Sequence, residues 1–203
     1  MLNWYNRVLL PRFIERDMDS GELIEIRRTI LKDVTGTVLE LGIGAGYSLP
    51  LYPALKRLYA LEPSEGLIKL ASTRVLGLAF PVEFLHAKAE AIPLPDASVD
   101  LVVSTWSLCS VDDPRQVLLE VNRVLRTGGR FLFVEHGASP YPFVRAVQKL
   151  LTLFTKDFTG NCHWDRKIDD LITSSPLTTQ VMKHCPEPGM PLTYNFEGCA
   201  TRV

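Results

Sequence analysis

Three glycines within five positions directly follow an apolar run in the segment VLELGIGAGYS, residues 38–48. Glycine loses more conformational entropy on folding than any other residue, so this density is expected where the backbone turns tightly or another group approaches it closely. An apolar run that ends in such a turn is typical of a buried parallel strand. The segment therefore predicts a strand followed by a turn that a ligand approaches.

Apolar runs and amphipathic segments alternate along the rest of the chain, a pattern that predicts βαβ units around a parallel sheet. Strands are predicted for TVLELG (37–42), YALEP (59–63), VEFLHA (82–87), DLVVSTWS (100–107) and RFLFVEHG (130–137). Helices are predicted over most of 3–32, over 64–77 with Ser64 as its cap, and over 112–126, ending at Gly128-Gly129.

The C-terminal part of the chain has a different pattern. Residues 141–175 are predicted to be mostly helical with a loop at FTGNCHWD, and TTQVMKHCP and LTYNFEGCATRV are predicted strands joined by the turn PEPGM. The fold class is thus α/β: a Rossmann-like, doubly wound, seven-stranded sheet, mostly parallel with one antiparallel C-terminal strand and helices on both faces. We expect one domain over 1–203, with a helical cap at 1–32 and a helical insert at 138–175.

The composition excludes several classes of protein. The 203 residues are 46% hydrophobic with a net charge of -1, which disfavours both disorder and nucleic acid as a partner. No apolar stretch predicts a membrane span or a leader peptide, so we expect a cytoplasmic protein. The four cysteines form no C-x-x-C pair and are expected to be free thiols, so no metal is predicted. A zinc site on Cys162, His163 and Cys185 is the alternative, although its spacing is unusual.

The glycine turn is compatible with three kinds of ligand. A P-loop needs a lysine after its last glycine, and none follows Gly46. A dinucleotide fingerprint reads G-x-G-x-x-G, whereas Gly42, Gly44 and Gly46 are spaced one residue more tightly. Glu40, just before the turn, would repel a pyrophosphate and attract a sulfonium or ammonium group. The ligand is therefore expected to be cationic.

Glu62 lies at the end of the second predicted strand, where an acid accepts hydrogen bonds from ribose hydroxyls in dinucleotide sites. A ligand with a ribose and a cationic part fits both acids, and S-adenosylmethionine has these parts. The plain alternative for Glu40 and Glu62 is two solvated carboxylates at strand ends.

Four segments, in order, resemble the motifs of class I S-adenosylmethionine-dependent methyltransferases. They are ELGIGAG (40–46), ALEPSEGLIKLA (60–71), AEAIPLPDASVDLVVSTWSLCSVDDP (89–114) and VLLEVNRVLRTGGRFLFVEHG (117–137). NWYNRVLLPRF, WSLCSV, FVEHGAS, FTGNCHWDR and the tail YNFEGCATR are similar to a bacterial branch related to phospholipid and quinone methyltransferases and to animal thiol methyltransferases. The resemblance extends over most of the chain.

The resemblance implies a set of donor-binding residues and the product S-adenosylhomocysteine. Glu40 and the three glycines would face the methionine part, Glu62 with Pro63 the ribose, and Ala89 with Glu90 the adenine. Ser104 and Thr105 would lie at the end of the fourth strand. Lys88 departs from the family, which usually has an aspartate or a small polar residue there, and an ammonium cannot accept a hydrogen bond from adenine.

The methyl acceptor is less constrained by the sequence. The resemblance implies a small or lipid-like, hydrophobic acceptor, with nitrogen, sulfur, oxygen or carbon as the nucleophile. His136 and His163 are candidate bases, and Tyr5 and Trp106 are candidate pocket walls. The N-terminal helix could pack on the domain or contact a membrane surface. The alternative functions are a non-catalytic S-adenosylmethionine-binding module and an NAD-dependent oxidoreductase.

Overall fold

The computed structural model describes residues 21–156, 159–187 and 190–203. Its strands are β1 (Thr37–Leu41), β2 (Arg57–Leu61), β3 (Val82–Leu85), β4 (Val99–Thr105), β5 (Leu125–Gly137), β6 (Thr178–Glu187) and β7 (Met190–Thr201). Its α-helices are α1 (Gly21–Leu31), α2 (Glu65–Ser72), α3 (Pro114–Val124), α4 (Pro142–Thr155) and α5 (Ile168–Thr173). A short 3₁₀ helix spans Leu49–Leu51.

The strands form one seven-stranded sheet in the order β3-β2-β1-β4-β5-β7-β6. Strands β1 to β5 are parallel, and β7 pairs antiparallel with both β5 and β6, so the predicted sheet is confirmed. β1 has β2 on one side and β4 on the other, which makes its carboxyl end the point where the strand order reverses. Open α/β sheets bind ligands in the crevice outside such a point.

Neighbouring residues of a strand point to opposite faces of the sheet, and helices pack against both faces. Val38 of β1 packs in a core with Leu31 of α1 and Ala71 of α2. Leu39, the next residue, packs in the other core with Val117 of α3. All five residues of β1 are buried, as expected for a central parallel strand.

Two helices begin at side chains that accept hydrogen bonds from their first turns. The Ser64 hydroxyl accepts from the Leu67 amide at 3.4 Å, which confirms the predicted cap of α2. The Asp113 carboxylate accepts from the amides of Arg115 and Gln116 at 3.0 and 3.1 Å, at the start of α3. Each cap satisfies backbone donors that have no partner within the helix.

The predicted end of α3 is wrong. The helix ends at Val124, and Leu125 begins β5 by pairing with Val99 of β4. Leu125 is fully buried and extended, so the sheet satisfies backbone groups that a longer helix would have used. Gly128, with φ +76°, and Gly129 lie within β5 at the irregularity between its pairings with Val99 and Leu101, where a Cβ on Gly129 would lie 2.8 Å from a backbone oxygen.

The predicted N-terminal helix is confirmed over α1. Tyr5 and the rest of 1–20 lie outside the described residues, so the proposed cap and membrane contact stay predictions. Two helices, α4 and α5, occur within 141–175, with the described segment TGNCHWD (159–165) in a loop between them. Within the described ranges, no helix combines the length and apolarity needed to cross a bilayer.

Candidate functional site

The three glycines of the turn after β1 all have positive φ, +62° at Gly42, +57° at Gly44 and +85° at Gly46. A Cβ on Gly42 would overlap the Ser107 hydroxyl, and one on Gly46 would lie 3.0 Å from the Ala71 Cβ. A Cβ on Gly44 would meet only a backbone oxygen, at 3.9 Å. Gly42 and Gly46 thus allow close packing within the protein, whereas Gly44 borders open space that a ligand can enter.

The carboxylate of Glu62 joins the end of β2 to this turn. Its Oε2 accepts a hydrogen bond from the Gly44 amide at 3.1 Å, and its Oε1 accepts one from the Ser64 amide at 2.9 Å. Each carboxylate oxygen has a further lone pair, so the group can also accept from a ligand's hydroxyls. Burial raises the pKa of Glu62 above its usual value, while the two amides oppose this. Pro63, the next residue, is exposed, and its carbonyl lies 3.0 Å from His86 Nε2.

Glu40, near the end of β1, is 1% exposed. Its Oε2 accepts hydrogen bonds from the Ser48 hydroxyl at 2.8 Å and the Tyr52 hydroxyl at 3.0 Å. Burial raises the pKa of Glu40 to about 7, against the effect of these two hydrogen bonds and of Arg27. Glu40 therefore fixes the segment that follows the glycine turn, and its charge is finely balanced near neutral pH.

Arg27 of α1 is a site residue that the sequence analysis missed. It is 4% exposed, its guanidinium carbon lies 4.7 Å from the centre of the Trp106 ring, and it interacts electrostatically with Glu40. Burial lowers the pKa of Arg27, and Glu40 opposes that shift. The sequence feature that could have identified Arg27 is its position midway between Leu23 and Leu31. This spacing puts all three residues on the buried face of α1.

The segment after β3 contains the residues expected to border adenine. Ala89 is buried, and the Glu90 carboxylate accepts hydrogen bonds from the amides of Asp112 and Asp113 at 2.9 and 3.1 Å, next to the start of α3. The Lys88 ammonium donates to the Asp112 carboxylate at 2.7 Å, with both side chains largely exposed. Glu90 and Lys88 thus both bind the segment at Asp112 and Asp113.

A third buried carboxylate, which the sequence analysis did not identify, organises the end of β4. Glu135 of β5 accepts hydrogen bonds from the Ser104 hydroxyl at 2.5 Å and from the amides of Ser107 and Cys109 at 3.2 and 3.0 Å. Burial raises the pKa of Glu135, and these donors counteract the shift. Ser104 and Thr105 are both buried, and the serine hydroxyl is committed to Glu135.

Trp106 directly follows β4 with φ +54°, a conformation that is rare for a bulky residue and often found at functional sites. Its amide donates to the Val134 carbonyl at 2.7 Å and its indole nitrogen to the Asn195 side-chain oxygen at 2.9 Å. Its ring centre lies 6.0 Å from that of His136. These contacts hold a strained tryptophan between β5, β7 and α1.

The two candidate bases belong to the same region. His136 lies near the end of β5, beside Trp106, and the amide of His163 donates to the Cys109 carbonyl at 3.0 Å. Burial, followed by the charge of Arg166, lowers the pKa of His163. This shift favours the neutral imidazole, the form that accepts a proton.

The structure does not assemble the zinc site considered from the sequence. Cys185 lies on β6, with its sulfur 3.9 Å from a Glu197 carboxylate oxygen. Among the described residues, Cys162 is grouped instead with Cys109 and His136. The cysteines described are all free thiols.

Known proteins match this chain over the segments that form the site. A family model described as a methyltransferase domain matches residues 39–133, the segment from β1 to the middle of β5. The human thiol S-methyltransferase TMT1B is 41% identical over 122 residues, covering 55% of this chain and 49% of the relative. The phosphatidylethanolamine N-methyltransferase of Cereibacter sphaeroides is 32% identical over 161 residues, covering 78% of each chain.

This chain thus spans about half the length of the human relative and more than two thirds of the bacterial one. A solved structure of geranyl diphosphate methyltransferase in complex with SAM has a TM-score of 0.69, at 17% identity over 89% of this chain and 84% of that one. At that identity the structural likeness concerns the fold alone.

Proposed function

The chain belongs to the class I S-adenosylmethionine-dependent methyltransferases, and we propose that it transfers a methyl group from S-adenosylmethionine to a small or lipid-like, hydrophobic acceptor. The observation that carries this proposal is the hydrogen bond between the Gly44 amide and Glu62. It brings a carboxylate with free lone pairs next to the part of the turn that borders open space.

The residues of the site suit this donor. Glu62 has acceptor capacity for ribose hydroxyls, and the open side of Gly44 gives room for the methionine part. Glu40 and Glu62 are buried acids at the ends of adjacent strands, which favours a ligand with positive charge. Ala89 and the backbone beside it would border the adenine, and no metal ion is needed for this binding.

The chemistry of methyl transfer needs little covalent help from the protein. When bound, S-adenosylmethionine supplies an electrophilic methyl group on a sulfonium whose leaving group is a neutral thioether. The protein's own part is to align the acceptor, to exclude water and to accept a proton where the acceptor has one to lose. We assign proton acceptance to His163, because its lowered pKa favours the neutral imidazole that accepts a proton.

An apolar cluster supports the choice of a hydrophobic acceptor. It lies beside the ends of β4 and β5 and includes these buried and partly buried side chains: Leu23, Ile26, Ile30, Trp106, Val134 and Trp164. The relatives' names, a thiol methyltransferase and a phosphatidylethanolamine methyltransferase, suggest a lipophilic thiol or a lipid amine as acceptor.

Calorimetric titration of the purified chain with S-adenosylmethionine and S-adenosylhomocysteine tests the donor. Saturable binding of both is expected, and no binding at millimolar concentration would contradict the proposal. Labelled donor is then offered with an alkyl thiol, with phosphatidylethanolamine vesicles and with a reduced quinone. Donor binding without turnover on any acceptor supports the non-catalytic alternative. Competition of NAD with S-adenosylmethionine for binding supports the oxidoreductase alternative.

A further inference from the structure

Two thiols and an imidazole meet where three segments of the chain converge. Cys109 lies in the segment after β4, His136 near the end of β5, and Cys162 in the TGNCHWD segment (159–165) between α4 and α5. The sulfur of Cys162 is 3.6 Å from the Cys109 sulfur and 3.6 Å from His136 Nδ1. Both cysteines are buried. Three residues that are distant in sequence thus present two sulfur atoms and one imidazole nitrogen to one point.

We propose that Cys109, His136 and Cys162 bind one Zn²⁺ ion through two sulfurs and one imidazole nitrogen, with water at the fourth position. Two thiolates and a histidine with an open fourth position are one of the known donor sets of protein zinc sites.

The spacing of the donor atoms fits this ion. With zinc–sulfur bonds of about 2.3 Å and zinc–nitrogen bonds of about 2.0 Å, a tetrahedron separates two sulfurs by about 3.8 Å and a sulfur from a nitrogen by about 3.5 Å. The two measured separations are 3.6 Å each, and all three donor atoms lie within 4.8 Å of one another. Small side-chain rotations therefore suffice to complete the site.

The charge of the complex suits its burial. Two thiolates neutralise one Zn²⁺ ion, so the loaded site has no net charge of its own, and a buried neutral group avoids the cost of burying an ion. The neighbouring Arg166 interacts electrostatically with both thiols and with Glu135, so the surroundings also contain charges of both signs.

Hydrogen bonds hold the segments that carry the ligands. The Cys109 amide donates to the Glu135 carboxylate at 3.0 Å, and the Cys109 carbonyl accepts from the His163 amide at 3.0 Å. The Arg166 guanidinium donates to the Leu108 carbonyl at 2.7 Å. Partners of this kind orient metal ligands and strengthen binding in known sites. The proposed zinc would add a further connection between the TGNCHWD segment and the ends of β4 and β5.

The alternative to a metal ion at these residues is a disulfide between Cys109 and Cys162. It would require the sulfurs to approach from 3.6 Å to a bond length of about 2.05 Å. A disulfide makes no use of the imidazole nitrogen, which lies as near to Cys162 as the other sulfur does. The threefold arrangement therefore favours the metal.

Zinc binding is tested on the full chain, purified under reducing conditions, without donor or acceptor present. The metal content is measured by mass spectrometry, the chain is stripped with a chelator, and Zn²⁺ is titrated against a chromophoric competitor. About one zinc per chain is expected, lost in Cys109→Ser and Cys162→Ser and retained in the matched controls Cys185→Ser and Cys199→Ser. Co²⁺ in the stripped wild-type chain should give thiolate charge-transfer absorption and the intense visible bands of tetrahedral cobalt.

The cobalt spectrum requires no variant, so it decides the matter even if the serine variants do not fold. Fewer than about one zinc in ten chains after loading, together with an octahedral cobalt spectrum, overturns the proposal. So does a Cys109–Cys162 disulfide found by peptide mapping in a chain that takes no zinc when reduced. None of these measurements depends on methyl transfer, so the zinc site and the proposed function fail or succeed separately.

Discussion

The Glu62 carboxylate accepts a hydrogen bond from the Gly44 amide at 3.1 Å, which ties the end of β2 to the glycine turn after β1. The two residues lie 18 positions apart in sequence, each just beyond the end of one of two neighbouring parallel strands. One side chain thus shapes the turn and retains lone pairs for a ligand. The donor proposal is therefore most directly tested at this pair.

Replacing Glu62 by alanine is expected to weaken S-adenosylmethionine binding by tenfold or more. Hydrogen bonds to a charged group contribute about 1.5–3 kcal/mol, and each 1.4 kcal/mol is about tenfold in affinity. Titration calorimetry measures the change, with Glu65→Ala, on the exposed first turn of α2, as the control. A Glu62→Ala chain that folds and keeps wild-type affinity would remove the ribose assignment.

Gly44→Ala should mainly weaken donor binding, whereas Gly46→Ala should mainly lower the stability of the fold. Both have positive φ, which costs a non-glycine residue about 1–2 kcal/mol. Only the Gly46 Cβ also meets the backbone of α2, at 3.0 Å from the Ala71 Cα, so Gly46→Ala should lose about 2–4 kcal/mol of stability. Gly44→Ala should lose less stability and more donor affinity.

Denaturant unfolding and donor titration on both variants measure the two effects. Equal losses of stability with unchanged donor affinity in Gly44→Ala would contradict the assignment of open space beside Gly44 to the donor.

The alternation of mainly apolar runs with amphipathic segments was enough to predict the sheet, because mainly apolar runs such as that of β1 are typical of central parallel strands. The acids at the strand ends were also predictable, since Glu40 and Glu62 adjoin the turn and the next strand end. Arg27 and Glu135 were missed because each is a charged residue on a buried face. A hydrophobic pattern treats such a residue as an interruption, and only its partners in space explain it.

The end of α3 was misplaced for a related reason. Helical periodicity continues through Leu125, and only the pairing with Val99, which is distant in sequence, decides that Leu125 is in a strand. The proximity of the two thiols was still harder to predict from the sequence. Cys109 and Cys162 are 53 residues apart, and no spacing rule brings them together.

Glu135→Gln should destabilise the chain by about 2 kcal/mol or more. The glutamine has one oxygen where the carboxylate has two, so either orientation leaves the amide of Ser107 or of Cys109 without its acceptor, and an unsatisfied buried donor costs about 1–3 kcal/mol. Denaturant unfolding measures the loss. Glu83→Gln, which removes an exposed ion pair with Arg57, is the control and should lose less than about 1 kcal/mol.

An unfolding free energy within 0.5 kcal/mol of wild type (about the experimental uncertainty of such differences) for Glu135→Gln would show that the carboxylate does not organise the end of β4.

Glu40 should make the stability of the chain fall as pH rises from about 4.5 to about 7. Its pKa is about 7 in the folded chain and near 4.5 when unfolded, so the folded state binds more protons between these values. The stability contributed by protonated Glu40 is complete below pH 4.5 and lost as pH rises through 7, by at most about 3 kcal/mol. Unfolding free energies at several pH values should show a shallower decline in Glu40→Gln than in wild type, and parallel curves would contradict this.

An amine or thiol acceptor must lose a proton when it is methylated. Because burial and Arg166 lower the pKa of His163, its neutral form persists into mildly acidic solution. If His163 accepts the proton, kcat should stay level down to a pH below the ordinary histidine value of about 6.5 and fall only beneath it.

His163→Asn should lower kcat by about 100-fold, the usual contribution of a general base, and abolish the acidic limb of the profile. It should leave the affinity for S-adenosylmethionine intact. His184→Asn, an exposed histidine on β6, is the matched control and should behave as wild type. Retention of both kcat and the acidic limb in His163→Asn would contradict the assignment of proton acceptance to His163.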